Sequence, residues 1–267
     1  MSWHSGRMTD ADVARLRREA HERAVARPLR PFPGTVTDEV HDGVPMRRYV
    51  PPSATGTTGL VFLHGGFGLF GDLDLQDGYC RRTAETLGVV VLSVDYRLAP
   101  EASLDDSVAD ALAGVEALAA SGVTRVVLSG DSAGGAVARR AAERVPRPTA
   151  GLLLTNPNLD LTLASYDDSL PGGPGRELSE IAFRAWARVA DLRDAPHLES
   201  SAVGLPPTLL VVGSLDSLLP GTRAFAAACE RDGVPCRLVV LDGAAHGFVG
   251  TDRAAEALTA APQFLGL

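Results

Sequence analysis

Gly130-Asp131-Ser132-Ala133-Gly134-Gly135 follows closely on the apolar run Val126-Val127-Leu128. A G-x-S-x-G element placed where a strand ends and a helix begins is the setting of a nucleophile elbow. The serine sits on a sharp turn with its hydroxyl held clear of the backbone. Small residues on both sides let strand and helix close around it. The chemistry this points to is attack by Ser132 on an acyl carbonyl.

A serine hydroxyl is a weak nucleophile near neutral pH. It needs a general base, and the base needs an orienting acid. In the fold that uses such an elbow, chain order runs serine, then Asp or Glu, then histidine. His246 lies in Gly243-Ala244-Ala245-His246-Gly247-Phe248, just past the last apolar run, and is the candidate base. Asp216, in Gly213-Ser214-Leu215-Asp216, lies just past the run before it and is the candidate acid. Asp242, Asp191 and Asp194 are its rivals, and they fit the order less well. Of the other histidines, His4, His21 and His41 lie early and His197 lies in an insertion. Acyl transfer also needs donors for the developing oxyanion. His64-Gly65-Gly66-Phe67-Gly68 follows the first long apolar run, and its glycines let backbone N–H groups approach a ligand. A loop of this H-G-G-G type supplies one donor, and the residue after the serine, Ala133, supplies another.

These residues need a scaffold that brings distant segments to one edge. Apolar runs occur at Leu60 to Leu63, Val89 to Val94, Val126 to Leu128, Leu152 to Leu154, Leu209 to Val212 and Leu238 to Leu241. Runs apolar on both faces suit central parallel strands covered by helices. Helical patterns are expected at Asp74 to Leu87, Leu104 to Ala120, Ala133 to Arg144, Thr222 to Arg231 and Arg253 to Ala261. Strand alternating with helix implies an α/β fold with a mostly parallel, doubly wound sheet. Sites on such sheets form at the carboxyl ends of strands, where Ser132, Asp216 and His246 all fall. Val44 to Val50 reads as an early strand.

Two segments lie outside that rhythm. Asp10 to Ala26 has Val13, Leu16 and Ala20 on one helical face, with Thr9 or Asp10 as cap and Pro28, Pro31 and Pro33 as a stiff connector behind it. Between Leu154 and Leu209, a Pro171-Gly172-Gly173-Pro174-Gly175 turn precedes a helical stretch from Leu178 to Leu192. An insertion of this length is commonly a lid, and the N-terminal helix is its expected packing partner. The expected division is 1–35 as cap helix and connector, 36–160 as the first part of the core, 161–200 as cap insertion and 201–267 as the second part of the core.

Composition narrows the classes. The 267 residues are 45% hydrophobic, enough for a large core. A net charge of −8 argues against a nucleic-acid partner, since phosphates select basic surfaces. No apolar stretch is long enough to span a bilayer, and Met1 to Arg30 has no secretory apolar core, so no membrane partner and a cytoplasmic location are expected. Cys80, Cys229 and Cys236 form no C-x-x-C pair and fit a reducing compartment. No metal and no cofactor are expected, because neither an H-E-x-x-H nor a P-loop is present.

The chain resembles the hormone-sensitive-lipase-like branch of the α/β-hydrolases, the bacterial family IV carboxylesterases. His64 to Gly68, Asp95-Tyr96-Arg97-Leu98-Ala99-Pro100-Glu101, Gly130 to Gly135, and Asp216 with His246-Gly247-Phe248 carry the resemblance, which runs from about Val44 to the C-terminus. It implies an α/β-hydrolase fold with a small helical cap and hydrolysis of small or medium acyl esters. Ser132 becomes the nucleophile, Asp216 the acid and His246 the base. Gly66, Phe67 and Ala133 become the oxyanion donors, with His64 and Gly65 supporting the loop. Arg97 and Glu101 would tie the loops near the site. Relatives of this kind are often dimers through an edge strand, so a homodimer is the oligomer implied. Phe67 departs from the pattern, standing where the branch has a third glycine, and its side chain would narrow the acyl pocket. The segment before the oxyanion motif is also short, which implies a reduced cap and an open site. Phe67, Leu69, Phe70 and Phe248 are candidates to contact substrate, whereas Phe183 and Trp186 in the cap are expected to be buried as plain core rather than to line the site. An arylformamidase-type amidase is the alternative within hydrolases, although Gly68 stands where its loop has a tryptophan. A lyase or cyclase reusing the same site is the alternative beyond them.

Overall fold

The computed structural model describes residues 8–54, 56–146 and 148–267. Its elements in chain order are α1 (Asp10–Val25), β1 (Thr35–His41), β2 (Val44–Val50), β3 (Thr58–Leu63), α2 (Asp77–Leu87), β4 (Val90–Val94), α3 (Leu104–Ala120), β5 (Arg125–Asp131), α4 (Ala133–Ala142), β6 (Gly151–Thr155), α5 (Arg176–Ala187), β7 (Thr208–Gly213), α6 (Leu219–Arg231), β8 (Cys236–Leu241), α7 (Ala254–Leu258) and α8 (Ala261–Leu265). One sheet of eight strands runs in the order β1-β2-β4-β3-β5-β6-β7-β8. β1 pairs with β2 and β2 with β4 antiparallel; every other pairing is parallel.

Both faces of the central strands are buried, which explains their unbroken apolar runs. Successive residues of β3 point into two different cores. Val61 and Leu63 join the side covered by α3, α4 and α6, while Leu60 and Phe62 join the side covered by α2, α7 and α8. Each such buried side chain contributes roughly 1.5–3 kcal/mol of transfer free energy. Parallel register then aligns the strand ends: Leu63 pairs with Gly130, Asp131 with Thr155, Thr155 with Val211, and Gly213 with Leu241. The loops that follow β3, β5, β6, β7 and β8 therefore leave the sheet along one edge.

Helix ends follow their sequence signals. Thr9 caps α1 in a reciprocal box with Asp12, and Ser103 caps α3 with Asp106. Some expected bounds shift: α2 starts at Asp77, α6 at Leu219, and the stretch from Arg253 to Ala261 resolves into the two short helices α7 and α8. Strand β1 has no counterpart among the expected elements. It is an edge strand with no buried residue, so it lacks the apolar alternation that marks a strand. Its signal was the Asp42-Gly43 dipeptide, both residues at positive φ (50° and 79°), which joins it to β2 as a tight hairpin.

The insertion helix α5 is anchored on α3 and shares one apolar cluster with Val13 of α1. Trp186 is fully buried and its Nε1 donates to Ser107 Oγ of α3 at 3.0 Å. Gly68 passes so close to the Trp186 ring that a Cβ there would lie 2.6 Å from its Cε2. α1 reaches the same loop by its own contact, Arg17 Nε donating to Leu69 C=O at 3.0 Å. Among the described residues no helix is long and apolar enough to cross a membrane.

Candidate active site

Ser132 occupies the single residue between β5 and α4, at φ 54° and ψ −118°. Holding a non-glycine residue at positive φ costs about 1–3 kcal/mol, and the surroundings must enforce it. The flanking glycines allow that. A Cβ on Gly130 would lie 2.7 Å from Gly135 N, one on Gly134 would lie 2.6 Å from the His64 carbonyl oxygen, and one on Gly135 would lie 2.7 Å from Pro157 Cβ. Backbone bonds complete the turn: Ser132 N–H donates to Thr155 C=O at 2.9 Å, and Asn158 N–H donates to Ser132 C=O at 3.0 Å.

His246 and Asp216 meet this serine from the ends of β8 and β7. His246 Nε2 lies 3.0 Å from Ser132 Oγ, and Nδ1 lies 2.8 Å from Asp216 Oδ2. Asp216 is fully buried, and its Oδ1 accepts from Leu218 N–H at 3.0 Å. A carboxylate that only accepts fixes the imidazole with its proton on Nδ1, leaving Nε2 to accept from the serine. Burial of the imidazole works against its charged form. The bond to Asp216 and the charges of Asp216 and Asp131 outweigh it, so the His246 pKa lies above the ordinary histidine value. Asp242 is exposed, and Asp191 pairs with Arg193, so neither rival acid reaches the imidazole. Asp194 lies in a short turn after α5. His21, His41 and His197 pair with Asp72, Asp42 and Glu199; His4 lies outside the described residues.

The glycine loop after β3 stands beside the elbow, since a Cβ on Gly65 would be 3.3 Å from Ser132 Cβ. Gly66, Phe67 and Gly68 all have positive φ, at 116°, 63° and 69°. Among the described residues, the N–H groups of Gly66, Phe67 and Ala133 donate to no other residue. The loop is braced around them. Gly66 C=O accepts from Leu69 and Phe70, and Gly68 C=O accepts from Ala99 N–H at 2.8 Å. The His64 ring stacks on Tyr96 at 4.3 Å, and Tyr96 OH donates to His64 C=O at 2.7 Å. Burial holds the His64 pKa below the ordinary value, consistent with a neutral bracing ring. Arg97 forks onto Asp110 of α3, and Glu101 takes both terminal nitrogens of Arg17 from α1.

The expected substrate contacts divide. Phe67 and Phe70 are partly exposed and tilt against one another at 5.7 Å. Leu69 and Phe248, 1% and 3% exposed, belong to the two cores, and Phe183 and Trp186 are fully buried, as expected of cap residues that pack as core. Gly247 at φ 78° turns the chain, and Phe248 packs with Val249 among the residues of α7.

Three contributors carry no catalytic motif, although one of them, Gly172, lies in the Pro171-to-Gly175 turn. Asn158, beyond β6, directs Nδ2 at Ser132 Oγ at 3.3 Å and is held by Tyr166 OH at 2.8 Å. Gly172, in the insertion, accepts from His246 N–H at 2.6 Å. Gln76 accepts from Gly65 N–H at 2.9 Å. A cavity of about 830 Å³ lies between the connector after α1, the start of α2 and the segment after His246; Leu29, Gln76, Tyr79 and Val249 are in its wall. A second, of about 740 Å³, is lined by Arg17, Asp95 and Glu101, and burial together with nearby carboxylates pushes the Asp95 carboxyl up to about 6. Among the described residues, two groups offer convergent ligand atoms, His21 with Asp72 and Asp74, and Asp160 with His197 and Glu199; neither contains Ser132, Asp216 or His246.

A hydroxyl, an imidazole and a buried carboxylate in file can draw a proton from the hydroxyl and return it to a leaving group. Known proteins resemble this chain throughout. A family model described as alpha/beta hydrolase fold matches residues 60–250. Carboxylic ester hydrolase LipN of Mycobacterium tuberculosis is 34% identical over 278 residues, covering 91% of this chain and 72% of the relative. Ethyl acetate hydrolase of Pseudomonas putida is 30% identical over 230 residues, covering 77% and 71%. The crystal structure of an esterase from the bacterial hormone-sensitive lipase family superposes with a TM-score of 0.81 at 24% identity, covering 99% of this chain and 92% of that one.

Proposed function

The chain belongs to the alpha/beta hydrolase fold family, and from that premise we propose that it hydrolyses carboxylic esters through an acyl-enzyme on Ser132. Its motifs are those of the hormone-sensitive-lipase-like branch. Ser132 Oγ attacks the ester carbonyl while His246 Nε2 takes its proton, and Asp216 stabilises the imidazolium. The N–H groups of Gly66, Phe67 and Ala133 bind the oxyanion. His246 returns the proton to the departing alcohol. Water then attacks the acyl-enzyme by the same steps in reverse, releasing the acid. The observation that carries this reading is the unbroken file from Ser132 Oγ to His246 at 3.0 Å and from His246 to Asp216 at 2.8 Å.

The substrate class proposed is small or medium acyl esters. The name ethyl acetate hydrolase on one relative supports it, as does Phe67 standing at the oxyanion loop where its ring takes up space. Residues 8–35 and 161–200 form the cap in this reading, with Arg17 anchored on the loop at Leu69 and Trp186 on α3 at Ser107. The test is turnover of p-nitrophenyl butyrate by wild type and Ser132→Ala. Ser132→Ala should lose about 10³-fold or more in kcat while its thermal melt stays at the wild-type position. Comparable turnover by the two proteins would overturn the assignment.

A further inference from the structure

Gln76 stands at the N-cap position of α2, yet its side chain makes no capping bond. It spans instead between two other segments. Oε1 accepts from Gly65 N–H at 2.9 Å, and Nε2 donates to Asp131 Oδ2 at 2.7 Å. The other Asp131 oxygen accepts from Thr155 Oγ1 at 2.8 Å. Asp131 immediately precedes Ser132, and Gly65 immediately precedes Gly66 and Phe67. We propose that Gln76 is a positioning residue that fixes the oxyanion loop against the serine elbow, acting on the reaction through Gly65 and Asp131. This rests on the reading of Ser132, Gly66 and Phe67 given above.

The chemistry of the link selects an amide. Gly65 N–H offers only a donor, and the Asp131 carboxylate offers only acceptors. A bridging side chain must accept at one end and donate at the other. That requirement also sets the amide orientation, because a flipped Gln76 would set donor against donor and acceptor against acceptor. Each link is short, and Asp131 is buried, so neither end is free to relax toward water. A Cβ on Gly65 would stand 3.2 Å from Asp131 Oδ2, so loop and elbow have little room between them. Displacing donors by even a fraction of an ångström weakens transition-state stabilisation more than substrate binding.

A carboxylic acid at 76 tests the logic. With one proton shared between residue 76 and Asp131, the acid reproduces the amide: it accepts from Gly65 and donates to Asp131. Without that proton, two carboxylates face each other and the link breaks. The charged groups around them are His246 and Asp216 beyond β5, Asp72, Asp74 and Asp77 on the same segment as Gln76, and Arg27, Arg30, Arg82 and Asp252 across the cavity that Gln76 borders.

The experiment measures kcat and KM on p-nitrophenyl butyrate for wild type, Gln76→Glu and Gln76→Met from about pH 6 to about pH 9, with Ser132→Ala alongside. Gln76→Met should lose about tenfold in kcat at every pH, with KM changed less than about twofold. The ratio of Gln76→Glu to wild type should fall about tenfold as pH rises, a dependence that lost packing does not produce. Ratios that stay flat with pH, or a Gln76→Met enzyme with wild-type kcat, would overturn the proposal. If Gln76→Met does not fold, the pH dependence of Gln76→Glu decides alone. Turnover surviving in Ser132→Ala would instead overturn the site reading.

Discussion

The backbone N–H of His246 donates to the carbonyl of Gly172 at 2.6 Å, tying the insertion to the loop that carries the imidazole. Gly172 N–H in turn donates to Leu215 C=O at 2.9 Å, one residue before Asp216. One glycine thus holds the loops of both triad partners. A Cβ at 172 would lie 2.6 Å from Ala245 Cβ and 3.0 Å from the Leu215 oxygen. Gly172→Ala should therefore shift the imidazole, lowering kcat by about tenfold to a hundredfold with a smaller change in KM. Steady-state kinetics and a thermal melt check this; unchanged kcat would show that the clamp does not matter.

The raised His246 pKa sets a sign for pH dependence. The base acts in its neutral form, so kcat/KM should fall as pH drops through the His246 pKa, with a midpoint above the ordinary 6.5. Asp216→Asn removes the negative charge, and with it the charge-assisted bond, that raise it. The acid limb should then move to lower pH while kcat falls about 10³–10⁴-fold. By linkage, the raised pKa also stabilises the fold below the unfolded value of 6.5, and that share is lost as pH rises through the native pKa. A pH–rate profile of both proteins decides; an acid limb that stays in place in Asp216→Asn would mean that Asp216 does not raise the His246 pKa.

Asn158 supplies the serine with a donor, Nδ2 at 3.3 Å from Oγ. With that lone pair engaged, the hydroxyl proton is left to point at His246. Asn158→Ala should lower kcat by about tenfold at nearly constant KM, in the range of one positioned hydrogen bond. Tyr166→Phe, which frees Asn158 Oδ1, should do the same to a lesser degree. Wild-type kcat in Asn158→Ala would remove the residue from the mechanism.

The residues legible in the sequence are those whose chemistry needs a local pattern. Ser132 needs glycines within two positions, the donor loop needs His64-Gly65-Gly66 behind a strand, and His246 needs a strand end before it. Gln76, Asn158 and Gly172 carry no such mark, because their roles exist only across the sheet edge, against Asp131, Ser132 and His246 respectively. Side-chain direction in loops was equally hidden: Phe67 and Phe248 both follow a glycine beside the triad motifs, yet one stays partly exposed and the other enters the core. The central strands were plain from their two-faced apolar runs, whereas β1, an edge strand without buried residues, was not.

Phe67 departs from the branch pattern at a position where backbone and side chain make separate contributions. Its φ of 63° is left-handed, which costs a non-glycine residue about 1–3 kcal/mol. Its ring contact with Phe70 at 5.7 Å returns about 0.5–1.5 kcal/mol. Phe67→Gly removes both and keeps the N–H, so the melting temperature should move little and kcat on butyrate should stay within about threefold of wild type. The space the ring vacates should admit longer acyl chains, raising the octanoate-to-butyrate ratio of kcat/KM several-fold, since each added methylene buried is worth about 0.8 kcal/mol. An ester panel of increasing acyl length measures it. An unchanged ratio would mean that the Phe67 ring points away from the acyl group and that chain length is limited elsewhere.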